Sequence, residues 1–394
     1  MKSPTAPKRL DAFAVTAPGL EALCAAELRA LGLPARAADG GVSWTGDLQS
    51  VARANLWLRT ASRVIVRVAE FRALAFYELE MQAKRIPWER FVRPNALVEF
   101  RVTCRKSKLY HSDAVAQRFA EALAKRVAGV TIGSAKGDVD EETAGADRQL
   151  FIVRFLHDEC TVSIDSSGAL LHLRGYRQAV AKAPLRETLA AAILLGADWA
   201  GDVPLVDPMC GSGTIPIEAA RLARRIAPGR DRDFAFTRWP GTDEALLTSL
   251  VDDARSRELA SSPVAIAGSD RDKGAIAAAT ANAERAGVAS DIEWCVQPIS
   301  AVTGRSGPGV LASNPPYGVR IGDADRLRNL YAQIGNVART KLDGWTVALL
   351  TADRQLEQQL RMELHERFRT KNGGIPVHLM VGTALSDESR GGAA

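Results

Sequence analysis

The sequence predicts an α/β protein whose C-terminal half forms a doubly wound, mostly parallel sheet. Strand-like and helical patterns alternate from about residue 168 to the C-terminus. A glycine turn follows the first strand of this series, and polar residues close the second and fourth strands. Alternation of this kind places helices on both faces of the sheet, and ligands bind at the carboxyl ends of its strands.

Length and composition indicate an ordinary globular protein of two or three domains. The chain has 394 residues, of which 46% are hydrophobic and 25% are charged. The N-terminus lacks the pattern of a signal peptide, and the apolar segment from Leu189 to Trp199 is too short to span a bilayer. We therefore expect a cytoplasmic protein without a membrane partner.

The cysteines and histidines predict neither a metal site nor a disulfide framework. The five cysteines lie far apart without a Cys-x-x-Cys pair, and the five histidines are equally dispersed. An odd and scattered set of cysteines argues against both kinds of site. We expect no bound metal.

Residues 10–67 are predicted to form a small α/β unit. The expected elements are strands over residues 12–15 and 41–44 and helices over residues 20–31 and 48–58. The helix over 20–31 is closed by Gly32, a residue that commonly ends helices.

Residues 68–166 are predicted to add strands and one helix. An alternating strand over residues 98–102 precedes a helix over 113–127, with Ser112 or Asp113 as its N-cap. Strands over 150–156 and 159–165 are separated by two residues, His157 and Asp158, which is typical of a hairpin.

The stretch from Val51 to Tyr110, which spans the boundary between these two segments, is rich in basic residues. Between Val51 and Tyr110 there are thirteen Lys or Arg residues and five acidic ones. Such an excess on a nearly neutral protein indicates a polyanionic partner, but a solvated charged face is an equal alternative.

From residue 167 onward, strands alternate with helices. Strands are expected over residues 204–206, 264–268, 292–296, 310–312 and 345–350, with helices over 215–225 and 273–286. Residues 224–262 form an insertion after the first strand and helix, and its Pro- and Gly-containing stretches predict loops.

The first of these strands ends in an acidic residue and a glycine turn, Asp207-Pro208-Met209-Cys210-Gly211-Ser212-Gly213-Thr214. Glycine permits positive φ and lets a ligand approach the backbone closely. The turn is not a P-loop, because no Lys follows the second glycine, and Pro216 occupies the third glycine position of a dinucleotide fingerprint. An acid at the strand end suits a cationic aminoacyl group, so we favour a ligand-binding turn over a purely structural one.

The second strand ends in Ser269-Asp270-Arg271. A carboxylate at this place in such a sheet binds the hydroxyls of a ribose. The alternative is that Asp270 caps the helix that follows. The sequence leaves both roles open.

The fourth strand leads into Ser313-Asn314-Pro315-Pro316-Tyr317-Gly318. The two prolines remove backbone donors and leave carbonyl groups free to face a cleft. Asn314 adds an amide oxygen, so acceptors for both hydrogens of a planar amino group lie together. Tyr317 offers a ring on which a flipped base can stack. The motif predicts a site for the exocyclic amino group of a base.

Together these motifs resemble those of class I methyltransferases that act on exocyclic amino groups. Over nearly its whole length the chain is similar to the bacterial large-subunit ribosomal RNA guanine-N2 methyltransferase family that carries a THUMP domain. The similar stretches lie at residues 13–21, 54–63, 109–114, 171–177 and 183–190.

The resemblance implies three domains. Residues 10–67 would form a ferredoxin-like domain, residues 68–166 a THUMP RNA-binding domain, and residues 167–387 a single Rossmann-like methyltransferase domain. It also implies S-adenosyl-L-methionine as the methyl donor and ribosomal RNA as the partner. The oligomeric state stays open.

The resemblance further assigns roles to individual residues. The acceptor base would be held by Asn314, Pro315, Pro316 and Tyr317, which are the catalytic candidates. Such enzymes often place an acid after the third strand, beside the adenine of the methyl donor. This chain has Gln297 there instead, which departs from the family pattern, and Gln297 would hydrogen-bond the adenine. The donor would be held by Pro184, Arg186, Thr188, Asp207, Pro208, Cys210, Gly211, Ser212, Gly213, Thr214, Ser269, Asp270, Arg271, Gln297 and Asn314.

The expected function is therefore methylation of guanine N2 in large-subunit ribosomal RNA. Alternatives are methylation of a tRNA guanine at N2, of a nucleic-acid adenine at N6, or of a protein glutamine. A further alternative is an RNA-binding protein without catalysis, against which the presence of Asp207, Asp270 and Asn314 argues.

Overall fold

The computed structural model describes residues 9–133, 148–178, 185–317 and 324–386. Its internal contacts divide the chain into two compact units. The N-terminal unit comprises residues 1–16, 24–171 and 229–253, and the C-terminal unit comprises residues 17–23, 172–228 and 254–394. Within the described ranges, no helix is long and apolar enough to cross a membrane.

The N-terminal unit contains one eight-stranded sheet. Its strands are β1 (Leu10–Thr16), β2 (Arg36–Ala38), β3 (Gly41–Gly46), β4 (Ala61–Arg72), β5 (Leu97–Arg105), β6 (Thr131–Ile132), β7 (Arg148–Leu156) and β8 (Glu159–Asp165). Their order across the sheet is β2-β3-β1-β4-β8-β7-β5-β6. β5 is parallel to β6 and β7, and the other neighbours are antiparallel.

Side chains alternate between the two faces of this sheet, as strand geometry requires. Along β1, Leu10, Ala12 and Ala14 are buried in the core, whereas Asp11 and Phe13 lie on the more exposed face. The helices described here are α1 (Glu21–Ala30), α2 (Leu48–Trp57), α3 (Phe76–Ala83) and α4 (Ser112–Ala124).

Two local predictions for this unit have different outcomes. His157 and Asp158 have positive φ values of 52° and 66°, the conformation of a tight two-residue hairpin, and β7 pairs with β8 as predicted. The predicted N-cap of α4 is wrong. His111 precedes the helix, no side chain caps it, and Ser112 and Asp113 already lie in the first turn. In the first turn, the negative charge of Asp113 stabilises the helix through its interaction with the positive end of the helix dipole.

The C-terminal unit contains a seven-stranded sheet with the order β11-β10-β9-β12-β13-β15-β14. Its strands are β9 (Leu205–Asp207), β10 (Ile266–Asp270), β11 (Ile292–Val296), β12 (Val310–Ser313), β13 (Thr346–Thr351), β14 (His365–Asn372) and β15 (Ile375–Thr383). β9 to β13 are parallel, and β15 is antiparallel to both of its neighbours. The predicted doubly wound sheet is confirmed, and the hairpin of β14 and β15 extends it.

Helices cover both faces of this sheet. Neighbouring strand residues belong to two different cores: Leu205 packs in one with residues of α5 and α6, and Val206 packs in the other with residues of α9 and α10. The helices of this unit are α5 (Glu187–Gly196), α6 (Thr214–Ala223), α8 (Lys273–Arg285), α9 (Ala324–Lys341) and α10 (Arg354–Gln359), whereas α7 (Glu244–Ser256) packs against the core of the N-terminal unit.

The insertion over residues 224–262 is more ordered than the sequence predicted. It contains the thirteen residues of α7, and Phe234, Phe236 and Trp239 are buried in the core of the N-terminal unit. The indole Nε1 of Trp239 donates a hydrogen bond to Gln149 Oε1 at 3.0 Å. Ala254 is the fully buried residue of α7, and Leu246, Leu247 and Leu250 pack half-buried against the core of the N-terminal unit.

The predicted boundary between residues 67 and 68 falls inside a continuous strand. β4 runs from Ala61 to Arg72 and pairs with β1 on one side and β8 on the other. A single sheet thus joins residues 10–67 to residues 68–166. The division into separate ferredoxin-like and THUMP domains at this boundary stays a prediction.

Candidate active site

The glycine turn after β9 is shaped by two glycines in left-handed conformations. Gly211 has a φ of +53°, and Gly213, which precedes α6, has a φ of +83°. A Cβ at position 213 would lie 2.7 Å from the Trp294 ring, so the close approach of β11 also requires glycine there. The Cys210 amide donates to the Ser269 carbonyl at 3.0 Å, which ties the turn to β10.

Asp207 lies at the end of β9 and is buried. Its Oδ1 accepts hydrogen bonds from Ser313 Oγ at 2.7 Å and from the Met209 amide at 3.1 Å. Among the described residues, none donates a hydrogen bond to Oδ2. Burial raises the pKa of this carboxyl to about 7, against the opposing effect of the Ser313 hydrogen bond.

Asp270 lies at the end of β10 and holds the glycine turn. Its Oδ2 accepts a hydrogen bond from the Gly211 amide at 3.1 Å, and its Oδ1 accepts one from the Asp272 amide at 3.0 Å. The helix cap is Asp272, whose side chain accepts from the Gly274 amide. Asp270 is therefore not the cap of α8, and the capping alternative is wrong.

A cleft of about 720 Å³ opens at the carboxyl ends of these strands. It brings together residues that follow four consecutive parallel strands, and it adds a polar side of α9 that the sequence did not predict. The lining residues are Pro208, Met209, Asp270, Arg271, Gln297, Pro298, Ile299, Asn314, Pro316, Arg326, Leu327, Asn329, Leu330 and Gln333. This volume is within the range of cofactor and small-molecule sites.

Asn314 lines the cleft with an unsatisfied acceptor. Its Oδ1 is buried and accepts no hydrogen bond from any described residue. A buried polar atom without a partner costs about 1–3 kcal/mol, so a donor group on a bound ligand would stabilise this arrangement. An exocyclic amino group supplies such a donor.

Tyr317 has a different environment from the one expected. Its ring packs against the core that contains α5 and α6, and its hydroxyl accepts a hydrogen bond from Asn372 Nδ2 at 2.6 Å. Burial raises the pKa of this hydroxyl. Among the described residues that line the cleft, Pro316 is present and Tyr317 is not. Stacking of a base on Tyr317 stays a prediction.

The chain matches two family descriptions. The RlmL ferredoxin-like domain matches residues 11–65, and the RMKL-like methyltransferase domain matches residues 174–380, just over half of the chain. The chain belongs to the RMKL-like methyltransferase family.

Curated relatives of this RMKL-like chain differ in length. A protein of Synechocystis sp. named as a candidate RNA methyltransferase is 34% identical, over 93% of this chain and 95% of its own length. The ribosomal RNA large subunit methyltransferase K/L of Syntrophotalea carbinolica is 39% identical over 93% of this chain, which spans only 53% of that protein.

Solved structures of similar proteins have the same fold. One is a candidate methyltransferase complexed with SAH, which is 31% identical with a TM-score of 0.85, covering 96% of this chain and 99% of that one. Another, from Listeria monocytogenes, is described as a predicted N6-adenine-specific DNA methylase and is 33% identical with a TM-score of 0.84, covering 94% and 96%. The predicted fold class and methyl donor are confirmed: this RMKL-like protein is an S-adenosyl-L-methionine-dependent methyltransferase.

Two carboxylates lie at the carboxyl ends of adjacent strands. Asp270 lines the cleft, where a carboxylate is suited to ribose hydroxyls, whereas Asp207 is buried and is not among the described residues that line the cleft. Cys210 belongs to the same turn, but burial raises the pKa of its thiol far above the usual value, so it is not a thiolate nucleophile at neutral pH.

The other residues that were predicted to hold S-adenosyl-L-methionine lie in several different places. Ser212 and Thr214 are buried within the turn and the start of α6, and Ser269 is buried in β10. Arg186 is exposed immediately before α5, and Thr188 is buried in its first turn; neither lines the described part of the cleft. Pro184 lies outside the described residues. All these donor contacts stay predictions.

Sequence reasoning missed a buried charged network behind the turn. Glu218 of α6 lies 3.7 Å from the Arg174 guanidinium and accepts a hydrogen bond from the Tyr176 hydroxyl at 3.0 Å. Nearby, Arg177 pairs with Glu187 at 3.3 Å, and burial raises the pKa of Glu187 to about 7. The indications in the sequence were the family-like stretches over residues 171–177 and 183–190.

One arm of this network reaches the glycine turn. Asn282 of α8 is fully buried, and its Nδ2 donates to the Ser212 carbonyl at 3.0 Å. Arg285 donates to Asn282 Oδ1 and, through Nε, to the Tyr176 carbonyl at 2.8 Å. The turn is therefore held from behind by side chains that do not line the cleft.

Replacing Asn282 should weaken both the fold and donor binding. Asn282→Ala leaves the buried Ser212 carbonyl without this donor, which should lower the free energy of unfolding by about 1–3 kcal/mol. Urea denaturation followed by near-ultraviolet circular dichroism measures this change, and calorimetry measures the donor Kd. Asn336→Ala, at an exposed position of α9, is the matched control. Equal stability of the two variants would contradict this role for Asn282.

Proposed function

We propose that this chain methylates the exocyclic N2 amino group of a guanine in large-subunit ribosomal RNA, with S-adenosyl-L-methionine as donor. The choice of an amino group rests on Asn314, which lines the cleft. Its amide oxygen is buried and accepts no hydrogen bond from any described residue. An amino group brings two donors to such a place, whereas a carbonyl or ring nitrogen acceptor brings none.

RNA as the substrate class is supported by charge and by the names of relatives. Of the thirteen basic residues between Val51 and Tyr110, nine are exposed, whereas Arg63 is buried in an ion pair with Asp165. Relatives similar over 93% of this chain are named for RNA and for large-subunit ribosomal RNA. The exposed residues are Arg67, Arg72, Lys84, Arg85, Arg90, Arg93, Arg105, Lys106 and Lys108.

In this proposal the protein contributes to catalysis by orienting the guanine amino group toward the methyl group of the donor. The donor supplies an electrophilic methyl group. A guanine N2 is a poor nucleophile because its lone pair is delocalised into the ring. Acceptance of its hydrogens by Asn314 Oδ1 and the Pro315 carbonyl favours a pyramidal nitrogen whose lone pair faces the methyl group. The rate enhancement then comes from positioning and preorganised electrostatics.

The reaction product tests this proposal directly. Ribosomal RNA from a strain that lacks this gene is incubated with the purified protein and labelled donor, then digested to nucleosides. We expect N2-methylguanosine, and the same product formed about 10²- to 10³-fold more slowly by Asn314→Ala. N6-methyladenosine as the labelled product would support the second candidate, adenine methylation, which the name of the similar Listeria monocytogenes structure favours.

Donor affinity should depend on pH through Asp207. The carboxyl has a pKa of about 7, and an ammonium group pairs with its ionised form. The ionised fraction rises with pH, so the Kd for the donor should fall about fivefold between pH 6 and pH 7, a range in which an α-amino group stays charged. Calorimetry at the two pH values measures this. Asp207→Asn should bind weakly with no such dependence, and a wild-type Kd that is equal at both would exclude this role.

A further inference from the structure

We propose that the exposed face of the N-terminal sheet binds unpaired nucleotides of the RNA, with one base stacked on Phe13 and nearby phosphates paired with Arg36 and Arg67. This inference rests on RNA being the substrate. It assigns a binding surface remote in sequence from the methyl-transfer residues, on strands whose opposite face forms the core.

Strand register places the three side chains on one face. Phe13 of β1 lies opposite Ser43 of β3 and opposite Ile65 of β4. Arg36 of β2 is also opposite Ser43, and Arg67 of β4 is opposite Asp11 of β1. Since directly paired residues point to the same side of a sheet, Phe13, Arg36 and Arg67 share the face that does not contact the core.

The Phe13 ring lies close to position 41, where glycine leaves room for it. A Cβ on Gly41 would be 2.5 Å from Cε1 and 2.8 Å from Cζ of this ring. Val42 and Trp44, the neighbours of Gly41 and Ser43 along β3, point into the core instead. The ring is half-buried and lines a hollow, so part of its surface is open to a ligand.

A hollow of about 520 Å³ surrounds this ring and carries positive charge. Its walls include three arginines and one acid, Asp11, which accepts a hydrogen bond from Thr45 Oγ1 at 2.8 Å. Arg67 has an exposed pairing with Glu70 at 3.2 Å, a contact worth little in water. In the described parts of the chain, neither Arg9 nor Arg36 has an ion-pair partner. The lining residues are Arg9, Asp11, Ala12, Phe13, Pro34, Arg36, Ser43, Trp44, Thr45 and Arg67.

This combination of aromatic and cationic groups favours single-stranded nucleic acid. An unpaired nucleotide offers a π-face to the ring and a phosphate to the guanidinium groups. A duplex hides its base faces, and an acidic peptide would pair with the arginines but leave the ring without a partner. The expected ligand is therefore an unpaired RNA segment, bound through stacking and charge rather than through sequence readout.

Selective loss of single-strand affinity tests the inference. Full-length variants are titrated with a fluorescent single-stranded RNA of mixed sequence and with its duplex, and anisotropy gives the Kd values. Phe13→Ala should weaken single-strand binding about 5- to 150-fold, the range for loss of one stacked base, with little effect on the duplex. Phe13→Tyr should bind like wild type. Arg36→Ala should weaken binding and lower the slope of log Kd against log salt by about one phosphate contact.

Arg305→Ala is the control, because Arg305 is an exposed arginine of the C-terminal unit that lines neither the hollow nor the cleft. Circular dichroism and donor binding show that each variant is folded. If the wild-type protein binds RNA and both Phe13→Ala and Arg36→Ala keep its single-strand affinity, this inference is wrong, while the proposed function is unaffected. Failure of the wild-type protein to bind any RNA would instead overturn the proposed function.

Discussion

Asn314→Ala should lower the single-turnover rate of methyl transfer by about 10²- to 10³-fold, the effect of removing one positioned electrostatic partner. The buried Oδ1 of Asn314 is the acceptor proposed to orient the amine. Without it, the amine keeps its planar geometry, and the lone pair no longer faces the methyl group. Rapid-quench measurements with labelled donor and unmethylated ribosomal RNA give this rate.

The same variant should keep its fold and most of its donor affinity. Asp207 and Asp270 make their hydrogen bonds to Ser313, Met209, Gly211 and Asp272, and none of these contacts involves the Asn314 side chain. A thermal melt and a donor titration therefore serve as internal controls. Turnover near the wild-type rate would refute the amino-group mechanism, whatever its product.

Asp270→Ala should weaken S-adenosyl-L-methionine binding by about 10- to 100-fold. Hydrogen bonds from ribose hydroxyls to a carboxylate contribute about 1.5–3 kcal/mol, which corresponds to that change in Kd. The substitution also removes the acceptor of the Gly211 amide, so the turn loses a contact at the same time. Isothermal titration calorimetry measures the effect.

Asp270→Asn separates these two contributions. The amide keeps an oxygen for one backbone amide but loses the charge, so its Kd should lie between those of wild type and Asp270→Ala. A Kd for Asp270→Ala equal to that of wild type would remove Asp270 from the donor site and leave it only the role of holding the turn.

The place of these residues in the sheet was predictable because each of them is adjacent to a strand end. Asp207, Asp270 and Asn314 each follow a short apolar run, and the rule that parallel strands end at one edge brings them together. Ser313 was within the same motif, yet its hydrogen bond to Asp207 was not foreseen because it depends on the spacing of β9 and β12.

Other features depended on tertiary contacts that no local pattern reveals. The network of Arg174, Tyr176, Glu218 and Asn282 joins segments up to about a hundred residues apart, as the 109-residue separation of Tyr176 and Arg285 shows. The polar side of α9 faces the cleft only because the sheet places that helix there. Leu246, Leu247 and Leu250 of α7 pack against the core of the N-terminal unit, whose strands lie far earlier in the chain, and the hairpin of β14 and β15 lies beyond the last predicted strand.

The insertion has a consequence for synthesis. Phe234, Phe236 and Trp239 complete the core of the N-terminal unit, although they follow β9 and α6 of the C-terminal unit along the chain. Domains usually fold as the ribosome releases them, N-terminal first. Here a nascent chain that has emerged only to residue 171 still lacks three aromatic side chains of its first core. The first unit therefore closes only after part of the second has left the ribosome, which couples the folding order of the two.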